Sequence, residues 1–241
     1  MSIKAFRDDD FLLHASKNDM LDGLPIQEIE RLLPHLEQVE LALGDSLGEP
    51  GESMSHAYFP MDAVVSLLCT TDDGVSTEVA MVGSEGMVGI SLVLNEAGMP
   101  GRAVVQRAGS AYRLKRKWLK EAFEQVGDFQ KRLLGYLQVL MIQMSQIAVC
   151  NRHHTLDQQL CRWLLSNLDR LPTHELVVTQ EFMANMLGVR REGVTEAAGK
   201  LQGAGLISYH RGRISILDRS GLEARACECY RVIKRVCGHS L

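Results

Sequence analysis

The sequence predicts an α+β protein with an N-terminal antiparallel β-roll, a long helix and a C-terminal winged helix-turn-helix. Three observations lead to this prediction. The first half contains short strand-like runs between glycines, the middle has continuous helical periodicity, and the last third has the order helix, helix, turn, helix, hairpin. We expect the sensor-like roll at residues 1–126, the long helix at 127–153 and the winged helix-turn-helix at 154–241.

Residues 44–109 have the composition of closely spaced antiparallel strands. Ten glycines lie in this segment, and apolar runs such as AVVSLLC and TEVAMVG alternate with the turn-forming sequences TDDG, GSEG and EAGMPG. Short apolar runs bounded by turn residues are typical of strands joined by tight connections. The segment therefore predicts an antiparallel sandwich or roll.

Helical periodicity begins near residue 117, where the glycines become rare. An apolar stripe runs along one face at steps of four, three, four and three residues; its members are Leu133, Leu137, Leu140, Met144 and Ile147. This spacing is typical of a coiled-coil seam and predicts a homodimer interface, although a helix packed on its own domain has the same pattern. The most apolar run, LQVLMIQMSQIAV, is shorter than the roughly 20 residues of a membrane span, so we expect no membrane association.

The last third of the chain predicts a winged helix-turn-helix. A capping box, Thr155 with Gln158, opens a first helix that LPTHEL ends. A second helix begins after Thr179 and stops at Gly188, a third begins near Arg190, and GLISYHRGRISIL is typical of a hairpin. Glycine suits the tight turn between the second and third helices because it adopts a positive φ easily.

The third helix has the pattern of a helix that enters the major groove. Ala184 is small where the second and third helices cross, and we expect Val194 and Leu201 to anchor the third helix inward. Its first turns would then face outward, where such helices contact bases. The candidate DNA-binding residues of this region are Thr179, Gln180, Arg190, Arg191, Glu192, Thr195, Glu196 and Lys200, together with His210 and Arg211 of the hairpin.

The charge distribution is compatible with DNA binding despite a formal net charge of −4. Residues 1–149 carry 13 Lys and Arg against 21 Asp and Glu, whereas residues 150–241 carry 13 against 9. An acidic front and a basic rear fit a protein whose rear half meets a polyanion. The N-terminal sequence MSIKAFRDDDF lacks an apolar run, so we expect no secretory signal, a cytoplasmic location and six reduced cysteines.

The sequence resembles the cyclic-AMP receptor protein/FNR (Crp/Fnr) family of bacterial transcription regulators. The resemblance covers residues from about 18 to 218 and is carried by VRREGVTEAAGKLQGAGLISYHRGRISILD, RWLLSNLDRL and VGSEGMVGISLVLNEAGMPGRAVVQRAG. It implies a cyclic-nucleotide-binding-like jelly roll, a dimerisation helix, a winged helix that binds double-stranded DNA, and RNA polymerase as a partner. Arg191 and Glu192 match the family's base-contacting Arg-Glu pair; these side chains suit guanine and cytosine, respectively. Where the cyclic-AMP receptor has a second arginine, this chain has Glu196, so we expect a different operator.

The sensor positions depart from the nucleotide-binding members of that family. Those members carry Gly-Glu for the ribose and Arg-Ser for the cyclic phosphate, whereas the aligned pairs here are Gly89-Ile90 and Arg102-Ala103. Isoleucine cannot accept a hydrogen bond from the ribose, so a site built for that contact loses affinity. Gly89, Arg102 and Ala103 stay candidate ligand-binding positions, and Arg102 is equally compatible with a surface salt bridge.

The remaining motifs predict neither a cofactor nor an enzyme. Only Cys69 precedes residue 150, so the cysteine cluster of an FNR-type iron–sulfur centre is missing. Cys227, Cys229, Cys237 and His239 lack the usual zinc spacing, because Cys-x-Cys on a helix would point its sulfurs to nearly opposite faces. HHTLD and GSEGMVG match no catalytic signature. We therefore expect no metal site and no catalytic residues.

These observations predict a homodimeric, sequence-specific transcription regulator that binds an inverted-repeat operator through a helix near residues 190–202. Its roll would sense an unknown small-molecule effector, or none. Two alternatives stay open. One is a β-roll regulatory module that acts through a protein partner, and the other is a regulator that still binds a cyclic nucleotide.

Overall fold

The computed structural model describes residues 17–94, 101–171 and 175–239. These residues form two compact units. Within the described ranges, the first draws on residues 17–68, 80–94, 101–141 and 238–239, and the second on residues 69–79, 142–171 and 175–237. The N-terminal segment interpreted above as lacking a signal, most of the EAGMPG turn and residues 172–174 of LPTHEL lie outside the described residues. The domain limits expected at 126 and 153 stay predictions.

The first half of the chain forms the antiparallel sheets that its glycine-spaced sequence predicts. The strands are β1 (Leu36–Leu41), β2 (Ser46–Gly48), β3 (His56–Pro60), β4 (Val64–Thr70), β5 (Ser76–Val82), β6 (Gly101–Arg107) and β7 (Gly109–Lys115). One sheet has the order β1-β7-β3 and the other has the order β2-β6-β4-β5. Phe59 and Tyr112 pair across β3 and β7, and both are buried. The roll therefore has an apolar interior.

Short helices flank these strands. They are α1 (Asp19–Asp22), α2 (Ile26–Leu32) with a 3-10 turn at Leu33–His35, α3 (Ser91–Leu94) and α4 (Arg116–Glu124). The long helix predicted from the periodicity is α5 (Asp128–His153). The Glu28 carboxylate caps its start, because its two oxygens accept hydrogen bonds from the backbone N–H groups of Asp128 and Phe129 at 2.9 and 2.8 Å.

The burial pattern along α5 corrects the predicted coiled-coil seam. Leu133, Leu140 and Ile147 are buried within the chain itself, so they cannot form an exposed stripe. A second apolar set is at least partly exposed; it is shifted by one residue, or about 100° around the helix, at three of the five positions and comprises Leu134, Leu137, Met141, Met144 and Ala148. Its steps of three, four, three and four are those of heptad a and d positions. Leu137 and Met144 belong both to the predicted seam and to this exposed set.

By length and composition alone, α5 is apolar enough to cross a membrane. Its most apolar window is 39% buried within the protein. Gln143 is among the buried residues of this helix. The apolar side chains that pack inward, among them Leu133, Leu140 and Ile147, and the buried polar side chain beside them are features of a helix that packs against protein.

The second unit contains the helices and hairpin that the sequence predicts, with further elements. Its elements are α6 (Leu156–Leu168), β8 (Glu175–Val177), α7 (Gln180–Leu187), α8 (Arg191–Gly203), β9 (Ile207–His210), β10 (Arg213–Ile216), α9 (Arg219–Arg225) and α10 (Glu228–His239). The capping box at α6 forms in both directions, since the Thr155 and Gln158 side chains each bond to the other's backbone. Strand β8 adds to the hairpin, giving the sheet order β8-β10-β9.

Candidate nucleic-acid interface

The angle between α7 and α8 depends on one glycine and a small set of apolar side chains. Gly188 ends α7 in the left-handed conformation, with φ 64° and ψ 35°. Ala184, Val194 and Leu201 are buried, as the sequence predicts. At the other end of α7, the Thr179 hydroxyl accepts a hydrogen bond from the N–H of Phe182 at 3.1 Å. The helix-turn-helix geometry therefore follows from local sequence signals.

The candidate base-contacting residues all lie on the exposed side of α8. Arg190 occupies the N-cap position with extended backbone, and Arg191 and Glu192 begin the helix. These three side chains, Thr195 and Lys200 are exposed. Since the buried residues of α8 occupy the other side, the start of the helix offers its cations and its free backbone N–H groups to solvent.

Thr195 connects the two helices of the motif. Its hydroxyl lies 2.8 Å from Oε1 of Gln180 and 3.0 Å from the carbonyl oxygen of Arg191. A hydroxyl has a single proton to donate, so these two acceptors compete for it. Gln180 and Thr195, which the sequence nominates separately, therefore form one polar patch beside Arg191.

Lys200 is not a free cation. Its ammonium lies 3.0 Å from a carboxylate oxygen of Glu196, one turn earlier, and 3.5 Å from one of Asp157 on α6. The hydrogen bond that the ammonium donates to Glu196, followed by the charge of Asp157, raises the pKa of Lys200 above its ordinary value. Since all three side chains are substantially exposed, we expect this cluster to stabilise the fold only slightly. Glu196 thus neutralises the charge of Lys200 and lowers the positive charge of the exposed side of α8.

The β9–β10 hairpin forms the wing. His210 ends β9, and Arg211 and Gly212 make the turn with φ values of 48° and 76°. Two successive residues with positive φ characterise the type I′ turns that suit hairpins. His210 and Arg211 are both exposed at this tip. Sequence reasoning predicts the hairpin but not β8, because three residues are too few to show a period.

In the first unit, Arg102 already has an anionic partner. Its guanidinium contacts both carboxylate oxygens of Glu49 at 2.9 Å. Hydrogen bonds from Ser46 and then Arg102 lower the pKa of Glu49. Gly89 has φ 101°, which favours glycine, and Ala103 is buried in the roll. Of the two interpretations left open for Arg102, the structure has the salt bridge.

The structure also brings together residues that sequence reasoning separated. The atoms that could bind a metal, one from each of Cys150, His154, Cys227 and Cys229, all lie within 4.8 Å of one another. The prediction that this chain has no metal site depends on both residues of the Cys-x-Cys pair lying on a helix. This premise is wrong, because Cys227 precedes α10 and only Cys229 lies within it. Cys237 is not a member of this group, and the side chain of His239 lies outside the described part of the chain.

Comparison with known proteins identifies the C-terminal domain and the fold. Residues 158–225 match the model of the Crp-like helix-turn-helix domain. A protein from Eubacterium rectale described as a transcriptional regulator of the Crp/Fnr family is similar with a TM-score of 0.70 and 17% identity; the match covers 87% of this chain and 98% of that one. No curated protein sequence matches this chain.

Two further solved structures have the same architecture. FixK2 from Bradyrhizobium japonicum has a TM-score of 0.69 at 15% identity, over 80% of this chain and 98% of its own. The c-di-GMP-responsive global regulator CLP from Xanthomonas campestris has a TM-score of 0.63 at 18% identity, over 80% and 99%. At such identities the likeness shows a shared fold. The fold predicted from the sequence is confirmed.

Proposed function

Because this chain has the fold of the Crp/Fnr transcription regulators and carries their Crp-like helix-turn-helix domain, we propose that it is a dimeric, sequence-specific DNA-binding regulator. The observation that carries the proposal is the arrangement of α8. Its apolar side is buried, and its first turns present Arg190, Arg191, Glu192 and Thr195 to solvent. It acts by binding, without a catalytic role, in the cytoplasm, and it recruits or blocks RNA polymerase.

Arg191 and Glu192 supply the proposed base contacts. An arginine can bond bidentately to O6 and N7 of guanine, and a glutamate can accept from N4 of cytosine. The Arg211 side chain at the wing tip and the N-terminal N–H groups of α8 are placed for phosphate contacts. Glu196 would repel a phosphate, so the selected half-site differs from that of relatives with an arginine there.

Dimerisation uses the exposed heptad set of α5. Met141 and Met144 expose 61% and 38% of their surface in the isolated chain, and Leu134 exposes 47%. A stripe of this length is unfavourable in water and is covered when two copies of α5 pair. In a two-fold dimer, the recognition helices enter successive major grooves about 34 Å apart, so the operator is a spaced inverted repeat.

The roll has lost the contacts for cyclic AMP. Ile90 stands where a ribose-binding carboxylate would be needed, and Glu49 already neutralises Arg102. Binding a cyclic phosphate would require that ion pair to break without the ribose contact in return. One structural neighbour responds to c-di-GMP, so an effector screen should include that nucleotide beside cyclic AMP.

The test is in-vitro selection of DNA sites with the wild type, Arg191→Ala and Glu196→Arg side by side. We expect the wild type to select an inverted repeat. Arg191→Ala should relax one base pair per half-site, and Glu196→Arg should change the half-site sequence without abolishing binding. Lys200→Ala serves as a matched control on the same helix, because loss of a phosphate contact weakens all sequences alike. Identical motifs from wild type, Arg191→Ala and Glu196→Arg would contradict the proposal.

A further inference from the structure

Three cysteines and a histidine meet where the end of α5 approaches the start of α10. Cys150 and His154 are four residues apart around the end of α5, and Cys227 and Cys229 flank the first residue of α10. The three cysteines are buried together, and the imidazole of His154 is largely buried. Nothing in the proposed DNA contacts uses these side chains.

Two distances in this group match those between the ligands of a tetrahedral metal site, and the others are close to them. Cys150 Sγ lies 3.5 Å from Cys227 Sγ, and Cys229 Sγ lies 3.7 Å from Nδ1 of His154. Ligands that bind zinc at about 2.1–2.3 Å in a tetrahedron are separated from one another by roughly 3.4–3.8 Å. Since all four atoms lie within 4.8 Å of one another, a small contraction would complete the tetrahedron.

The surrounding side chains have the features of a second coordination shell. Nδ1 of His154 faces Cys229, while its Nε2 lies 3.3 Å from a carboxylate oxygen of Glu228. A histidine that binds a metal usually donates its other N–H to a carboxylate or carbonyl, which fixes the ring and raises its basicity. The contact with Glu228 therefore leaves Nδ1 as the ligand atom.

A buried cation lies beside the same sulfurs. Arg162 is 3% exposed, and its Nε donates to Cys150 Sγ at 3.3 Å. Three thiolates with one divalent cation carry a net charge of −1, which a buried guanidinium compensates. Gln159 fixes the backbone of the site, since its amide donates to the carbonyl oxygens of Cys150 and His154 at 3.4 and 2.9 Å.

We propose that Cys150, His154, Cys227 and Cys229 bind a structural Zn²⁺ that joins α5 to α10. Three thiolates and one imidazole form one of the common closed zinc sites, and a closed site leaves no position for a substrate. The ion closes a loop between residues that are 77 positions apart in the sequence. Metal binding therefore stabilises the fold of the second unit, because the unfolded chain cannot hold the four ligands together.

The first test is the metal content of the untagged, full-length, reduced chain. We expect about one zinc per chain and a fall in the Tm when a strong chelator removes it. Co²⁺ in its place should give the intense bands of a tetrahedral, thiolate-rich site. A reduced wild-type chain that takes up no zinc, or an octahedral Co²⁺ spectrum, would overturn the proposal. So would a Cys150–Cys227 disulfide in protein alkylated directly in cells.

Variants locate the site. Cys229→Ser should lose the zinc, whereas Cys161→Ser and Cys69→Ser, which change a buried and an exposed cysteine outside the group, should retain it. Glu228→Gln keeps all four ligands and should weaken zinc binding by roughly 10–100-fold in competition with a chromophoric chelator. This variant decides the matter if Cys229→Ser fails to fold. Retention of zinc in Cys229→Ser, or, if that variant does not fold, equal zinc affinity in Glu228→Gln and wild type, would refute the assignment.

Discussion

Replacing Met141 with aspartate should dissociate the dimer and leave the monomer folded. Met141 is 61% exposed in the isolated chain. Full burial of a methionine is worth about 1.5–3 kcal/mol, so covering this share of the side chain contributes roughly 1–2 kcal/mol per subunit. The loss for the dimer is about 2–4 kcal/mol, or roughly 30-fold to several hundred-fold in the dissociation constant. Desolvation of two carboxylates adds to this loss.

Light scattering and sedimentation over a dilution series measure this effect. Leu43→Asp is the matched control, because Leu43 is 60% exposed but lies in a turn of the sensor roll rather than on α5. We expect that control to remain dimeric. Leu140→Asp tests the other register: Leu140 is 3% exposed, so this variant should lose its cooperative thermal transition. A dimeric Met141→Asp beside a folded, monomeric Leu140→Asp would refute the heptad assignment.

The remaining predictions concern the turn, the sensor and the charges of α8. Gly188→Ala places a Cβ on a residue in the left-handed region and should lower the free energy of unfolding by about 1–2 kcal/mol. Gly199→Ala, within α8 and with open space around it, should stabilise the chain. Equal melting curves for the two variants would contradict this prediction. Because Glu49 engages Arg102, calorimetry should detect no cyclic-AMP binding, and saturable micromolar binding would contradict the sensor interpretation. Glu196→Gln removes one of the two carboxylates that contact Lys200, so the affinity for DNA should rise. The slope of log affinity against log salt concentration should steepen by about one unit per subunit. An unchanged slope would show that Lys200 does not contact a phosphate.

Elements defined by local chemistry could be predicted from the sequence. The capping box at Thr155, the αL turn at Gly188 and the hairpin at Arg211 each depend on a few adjacent residues, and the structure has all three. Their geometry is set by the φ preferences and the hydrogen bonds of those residues.

The register of the α5 seam could not be predicted in this way. Two apolar stripes run along the helix, one through Leu140 and the other through Met141. Periodicity shows that a helix has an apolar side, but it does not tell whether that side packs on its own chain or on a second copy. Only the burial of Leu133, Leu140 and Ile147 within the chain separates the two stripes.

The cysteine group was missed for a related reason. Cys150 and Cys227 are 77 residues apart, and the single residue between Cys227 and Cys229 is shorter than the usual spacing of zinc ligands. The pair Cys227 and Cys229 converges because the first precedes the helix and the second lies inside it. Sequence spacing alone does not predict at which residue α10 begins, and therefore does not predict that these two sulfur atoms converge.

We propose that α8 reads DNA sequence through Arg191. The most direct measurement is fluorescence anisotropy of the wild type and Arg191→Ala on the selected inverted repeat and on a scrambled duplex, over a range of salt concentrations. One bidentate contact is worth about 1–3 kcal/mol per half-site, so the dimer should lose about 2–6 kcal/mol on the specific site, from roughly 30-fold to about 10⁴-fold. Binding to the scrambled duplex should change little and should keep its salt dependence. An unchanged ratio of specific to scrambled affinity in Arg191→Ala would contradict the account.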